Sequence, residues 1–349
     1  MIAIWIGYLY IVFLLLVCAC QVSTPICNHN SSALKLVFGV FITLGTFAIF
    51  TGDYLGYQQL VADVVDGQSN AEMEPVYIWL IDIVAGNIHW FRFAIFLISF
   101  ILLYYLLKKT DNLDFRILFI YALIELLTVI DGRQQISIYL FFIGCIFIWK
   151  NHRKYLGLLF IFVGLFTHKS AVFLLLAIPF IFIEFTKREK CLLYILFPVF
   201  ISVILYVFNL LLSQPELNFL GSVYLKADEI SFAPLLMTLL VMKPVLIMIL
   251  SIWTLHTVKL EGAPLYIHYI YRWLWGMVYI NSIIAFMPIE NYIIIYERFL
   301  RPQVTAVLLI LSYCIKPKLI NNVFFFLLSF AIFIYMNVYI ILQVFRSRI

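Results

Sequence analysis

The sequence predicts an all-α protein threaded repeatedly through a membrane. Three observations carry that expectation. Of the 349 residues, 65% are hydrophobic and only 12% charged, whereas a soluble domain is nearer half apolar and a quarter charged, so lipid must act as the solvent. Segments 2–20, 34–50, 191–212, 233–255 and 322–344 are nearly unbroken apolar runs. Their lengths match the roughly 17 to 25 residues that a helix needs to cross the hydrocarbon core. None alternates apolar and polar residues at period two, as the strands of a membrane barrel do. A chain in lipid must satisfy its own backbone hydrogen bonds, so each run is read as a helix.

Taken in chain order, segment 1–20 lacks the basic start of a secretion signal and is read as the first span. Segment 34–50 is the second. Residues 52–74 then carry Asp53, Asp63, Asp66, Glu72 and Glu74 without a Lys or Arg, which places this acidic loop outside the cytoplasm. Within it, Tyr54, Tyr57, Leu60, Val61, Val64 and Val65 recur at helical spacing, as in an amphipathic helix lying in the interface. Residues 75–89, interrupted by Asp82, Gly86 and His89, are too short and polar to cross and are expected to dip in or lie on the surface.

Further spans follow at 90–107, 117–130, 136–149, 155–166, 171–186, 191–212, 233–257, 265–287, 299–315 and 319–344. Lys108, Lys109 and Arg116, then Lys150, Arg153 and Lys154, then Lys187, Arg188 and Lys190, then Lys259, then Lys316 and Lys318 mark alternate connections as cytoplasmic. The breaks at 131–135, 167–170, 213–232 and 288–298 face outward. The expectation is a single integral membrane domain over residues 1–349, with about 12 transmembrane helices (roughly 10 to 14).

The net charge of +5 lies mostly in the short turns, where orientation explains it, and nucleic-acid binding is not expected. The six cysteines, Cys18, Cys20, Cys27, Cys145, Cys191 and Cys314, form no CxxC pair and stand near no histidine at metal spacing. They read as small apolar packers, and no metal site is expected.

The informative residues are the few polar ones. Spans 136–149 and 155–166 are short for the hydrocarbon thickness, so their outer ends should be recessed in a protein-lined or watered cavity. Arg133 and Gln134 stand at one such end, and His168 and Ser170 at the other. One helical hairpin separates them, which returns both to the same face. Arg133 could equally neutralise Asp131 or Glu125, and His168 could cap a helix. Glu290, Glu297, Arg298 and Arg301 lie on the same outer side. Arg298 and Arg301 share a helix face three residues apart, an arrangement suited to capturing phosphate oxygens or to snorkelling towards headgroups. Arg92, after Trp90 and Phe91, reads as an interfacial anchor. Tyr266, Tyr269, Tyr271, Trp273 and Trp275 read as an aromatic belt.

In order along the chain, Gly52-Asp53-Tyr54-x-x-Tyr57, Glu74-x-x-Tyr77-x-x-Leu80, Arg133-Gln134 and His168-Lys169-Ser170-Ala171 resemble the landmarks of the EpsG-like, Wzy-type polymerases of bacterial exopolysaccharide and O-antigen. The late Arg298–Arg301 segment is similar to that family's arginine-containing helix. Three features depart from the pattern. Gly52 directly precedes Asp53, no arginine stands in 48–51, and Lys169 sits between His168 and Ser170.

The resemblance implies a multi-pass glycosyltransferase of the bacterial inner membrane, with a GT-C-like architecture, needing no cofactor. It would join oligosaccharide repeat units carried on undecaprenyl diphosphate, one lipid-linked oligosaccharide acting as donor and a second as acceptor. Membrane lipids and other polysaccharide-assembly proteins would be its partners. Arg133, with Arg298 and Arg301, would bind the diphosphate, and His168, Asp53 or Glu74 would act as base. Gln134, Tyr54, Tyr57 and Ser170 would support them. The rivals are a flippase for lipid-linked glycans and a membrane acyltransferase. A flippase commonly carries internal repeats, and none is evident here.

Overall fold

A computed structural model of the chain describes residues 53–67, 74–109, 132–150, 152–184, 247–284 and 292–314. Among these residues every regular element is helical. In chain order they are α1 (Asp53–Val65), α2 (Pro75–Ile83), α3 (Ile88–Lys109), α4 (Gly132–Trp149), α5 (Lys154–Thr167), a 3₁₀ turn (Lys169–Ala171), α6 (Val172–Leu175), a second 3₁₀ turn (Ile178–Phe182), α8 (Leu265–Ile284) and α9 (Tyr292–Cys314), with α7 (Ile247–Thr257) preceding α8. The spans expected at 2–20, 34–50, 117–130, 191–212 and 319–344 lie outside the described residues. Ile88–Lys108 and Gly132–Trp149 are long and apolar enough to cross a membrane.

Residues 75–83 form a helix of nine residues, about 14 Å long at 1.5 Å per residue and therefore too short to cross. Asn87 starts α3 by accepting the backbone N–H groups of His89 and Trp90 through its side-chain oxygen, which satisfies donors that a first turn leaves open. The acidic loop does contain a helix, α1. Its Tyr57 and Val61 are buried, together with Tyr77, Ile81, Phe91, Ile95, Ile136 and Leu140. Those two residues of the interfacial helix are thus covered by protein.

Helices α4 and α5 cross closely at Gly144 and Gly157. A Cβ added at Gly144 would stand 2.6 Å from the Gly157 carbonyl oxygen, and one added at Gly157 would stand 2.6 Å from that of Gly144. Small residues at this crossing let the two backbones approach where lipid supplies no hydrophobic drive. Because the obstacle is backbone, Gly144→Ala and Gly157→Ala are each expected to destabilise the protein by about 1–3 kcal/mol. Gly164→Ala, whose Cβ would meet the Ser137 oxygen at 3.1 Å, should cost less. Thermal unfolding in detergent orders the three, and an unchanged midpoint for Gly144→Ala would refute the close crossing.

Three expectations are corrected. Segment 171–186 is no continuous helix: it runs as a 3₁₀ turn, one α turn and a second 3₁₀ turn. Pro179 lies in the last of these and has no backbone N–H to donate. The interrupted backbone is stitched to α8. Trp273 Nε1 donates to the Leu174 carbonyl at 3.1 Å and Arg272 to that of Ile181 at 3.2 Å.

The aromatic belt is the second. Tyr266, Trp273 and Trp275 are buried inside the protein, and Trp273 packs against Phe142 at 5.1 Å between ring centroids. The third is Arg92, which is 2% exposed and therefore buried, not anchored in headgroups. It shares a face with Phe96, whose ring lies 6.0 Å from the guanidinium carbon.

Candidate functional site

The first turn of α4 is held close to α3. A Cβ at Gly132 would lie 2.5 Å from Ile95 Cγ2, and Ser99 Oγ donates to the Gly132 carbonyl at 3.3 Å. Helix α4 begins at Gly132, four residues before the expected 136, and runs for 18 residues. Arg133 and Gln134 therefore stand in a helical turn and not in a preceding loop. The start of an α-helix carries partial positive charge, which favours anions nearby.

Arg133 is oriented by three elements. Its guanidinium carbon lies 5.4 Å from the centroid of the Tyr57 ring of α1 and 5.6 Å from that of Tyr77 of α2, both within cation–π range. Phe91 of α3 meets both tyrosines edge-on, at 5.9 and 6.5 Å. Tyr77 also donates its hydroxyl to the Arg133 carbonyl at 3.3 Å. One guanidinium nitrogen lies 3.4 Å from Glu74 Oε2, with 18% of the arginine side chain and 8% of the glutamate side chain exposed. The pair is thus sheltered and still reachable.

Glu74 immediately precedes Pro75, which opens α2, and its backbone is extended, as a residue before proline tends to be. While Oε2 takes Arg133, Oε1 accepts the backbone N–H of Lys169 at 3.4 Å. That contact joins α2 to the end of α5, across 95 residues of sequence.

There α5 stops at Thr167, and His168 turns extended, with φ −161° and ψ 125°. His168 caps the following 3₁₀ turn, its Nδ1 accepting from the Ser170 N–H at 3.1 Å. Ser170 Oγ stands 2.6 Å from the same nitrogen. The capping role weighed from the sequence is therefore present. Lys169 is exposed, whereas His168 and Ser170 are buried.

Helix α9 begins at Tyr292, seven residues before the expected 299. Arg301 lies about 14 Å along it from that end. The residue is buried and donates to Gln134 Oε1 at 2.9 Å across 167 positions of sequence. Pro302 follows and supplies no ladder N–H. Arg301 and Arg133 are thus linked to consecutive residues of α4, one through Gln134 and one by belonging to the helix.

Glu74, Arg133, Gln134, His168, Ser170 and Arg301, with the Tyr57 ring, form a chain of contacts across α1, α2, α4, the 168–171 turn and α9. Asp53 and Tyr54 belong to the first turn of α1 and Arg298 to α9, and their side chains lie outside the described residues. Glu290 does as well. Tyr77, three residues after Glu74 on one helical face, joins the site through Arg133, although the sequence reading gives it no role of its own. The Glu74-x-x-Tyr77 spacing was the signal that could have found it. Among the described residues no three His, Cys, Asp or Glu side chains stand close enough to share a metal ion.

A family model, the EpsG family, matches residues 32–346, nearly the whole chain. No curated protein matches the chain. No solved structure matches it either.

Proposed function

We propose, from the premise that the chain belongs to the EpsG family, that it is a glycosyltransferase that polymerises undecaprenyl-diphosphate-linked repeat units into exopolysaccharide, capsule or O-antigen. It works as a multi-pass protein at the outer face of the bacterial inner membrane, in a GT-C-like arrangement of about a dozen spans. One observation carries the reading: the buried Arg301 donates to Gln134, the sequence neighbour of the sheltered Arg133 at the start of α4, while Glu74 pairs with Arg133 and reaches the turn that follows His168.

In this reading the lipid diphosphate of the donor sits against Arg133 and Arg301, with Arg298 in support. Breaking the anomeric C–O bond leaves the electron pair on the diphosphate oxygen. Fixed guanidinium groups in a water-poor site stabilise that charge without reorganising as it forms. The acceptor hydroxyl forms the new bond to the anomeric carbon, and its proton passes to a base drawn from Asp53, Glu74 and His168. Tyr57 holds the guanidinium plane, Gln134 holds Arg301, and Ser170 holds the histidine. Tyr54 belongs to the same supporting set.

The test supplies purified protein in detergent with a synthetic lipid-diphosphate repeat unit and follows products on a gel. A growing ladder is expected. Unchanged donor, with vesicles showing its translocation instead, would favour a flippase and overturn the reading. Transfer of an acyl group onto the glycan would do the same in favour of an acyltransferase.

A further inference from the structure

We infer that His168 acts as a neutral hydrogen-bond donor through Nε2 and that the acceptor's proton goes to a carboxylate, Glu74 or Asp53. The inference deepens the polymerase reading and rests on it for the identity of the reaction. Its ground is a backbone donor. The Ser170 N–H can only donate, and it reaches His168 Nδ1 at 3.1 Å. Nδ1 must therefore present its lone pair, and a neutral imidazole with its lone pair at Nδ1 carries its proton on Nε2.

Ser170 Oγ, 2.6 Å from the same nitrogen, has a rotatable hydrogen and can donate to it too. The hydroxyl is thus compatible with the tautomer that the backbone N–H requires.

A base needs a lone pair directed at the proton that it takes. The lone pair of His168 faces its own chain two residues ahead. Using Nε2 as the base would first require the proton to move to Nδ1, setting an N–H against the Ser170 N–H and losing the cap of the 169–171 turn. That rearrangement removes a cap and leaves a buried donor facing another donor. The turn also holds Glu74, through the Lys169 N–H, so disrupting it would loosen the carboxylate that pairs with Arg133.

The acceptor oxygen bonds to the anomeric carbon while its proton moves to Glu74 or Asp53. The anomeric C–O bond to the donor diphosphate breaks with its electron pair. The departing lipid diphosphate accepts hydrogen bonds from Nε2–H of His168 and from Arg133 and Arg301.

Two substitutions separate the roles, because asparagine and glutamine are amides that cannot act as the base. His168→Asn places an oxygen near Nδ1, keeps the Ser170 N–H bond and removes the distal donor. His168→Gln places an amide N–H near Nε2. In the ladder assay, His168→Asn is expected to fall about a hundredfold or more with an unchanged melting temperature, whereas His168→Gln, which loses the cap and so melts lower, is expected to extend faster than His168→Asn at a temperature where both are folded. Equal loss in both stably folded variants would make His168 the base and overturn the inference. Wild-type extension by His168→Asn would reduce it to a cap and overturn it as well.

The tautomer is read without turnover in protein labelled with ¹⁵N-histidine, using His168→Asn to identify the lost signal. A neutral Nε2–H ring is expected, and an Nδ1–H ring would refute the inference whether or not His168→Gln folds. If wild-type protein forms no ladder, the polymerase reading fails separately, while the tautomer result still stands.

Discussion

Arg133→Ala is expected to abolish polymer extension, leaving single repeat units on their lipid carrier. Removing one preorganised donor from a site that stabilises developing charge typically costs about 10²–10³ in rate. The alanine variant also leaves Glu74 without its cation in a site where that carboxylate is nearly buried, and breaking such a pair costs about 3–5 kcal/mol. Loss of fold could then imitate loss of chemistry, so Arg133→Lys is the decisive companion.

Lysine keeps a positive charge for Glu74, so the melting temperature should stay close to wild type. Its compact ammonium lacks the planar fork that lies beside the Tyr57 and Tyr77 rings, 5.4 and 5.6 Å away, and that meets phosphate oxygens two at a time. Extension by Arg133→Lys should therefore fall about a hundredfold, measured as initial rate on lipid-linked repeat units. A stable Arg133→Lys protein that extends polymer at the wild-type rate would confine the arginine to neutralising Glu74.

The local landmarks were legible in the sequence because each depends on short spacing. Glu74 and Tyr77 share a face of α2, Arg133-Gln134 opens α4, and the His168 segment follows α5 after one hairpin. Helix starts were less legible for a physical reason. Apolar runs mark where lipid is met, whereas a helix continues wherever backbone bonds can form, and Arg, Gln and Glu are good helix formers. The polar first turn of α4 thus reads as a loop, and in α9 the charged second turn at Glu297 and Arg298 hides the apolar turn 292–295 before it.

Segment 171–186 showed the opposite error. An unbroken apolar run reads as a helix, and only Pro179 warned that it was not. Periodicity marks an apolar face but does not say whether lipid or protein covers it. Trp273 and Trp275 therefore read as a belt in the sequence and face inward in the structure. Arg92 was misplaced for a related reason: its aromatic neighbours in sequence looked interfacial, while its own face, shared with Phe96 and Ser99, is buried. The contacts of Glu74 with Lys169 and of Gln134 with Arg301 span 95 and 167 positions, and no local pattern encodes them.

The Gln134–Arg301 contact supports the second large effect. Arg301→Ala should lower the extension rate about 10²–10³-fold, as expected for a lost charge-stabilising group. It should also destabilise the protein modestly. Gln134 is 1% exposed, and an amide oxygen left buried without its donor costs about 1–3 kcal/mol. Gln134→Ala separates the two consequences, since it removes the amide and leaves the arginine charge in place. If Arg301 serves only to pin α9 to α4, the two variants should lose stability and activity together. If Arg301 holds the diphosphate, Gln134→Ala should keep most of its maximal rate while KM for the lipid-linked donor rises several-fold, because the guanidinium is present but less well aimed. Arg301→Ala would then lose its maximal rate even where its melting temperature is restored by lipid or lower temperature. Equal rate losses in both variants, tracking their melting temperatures, would remove Arg301 from the chemistry and leave Arg133 to carry the developing charge.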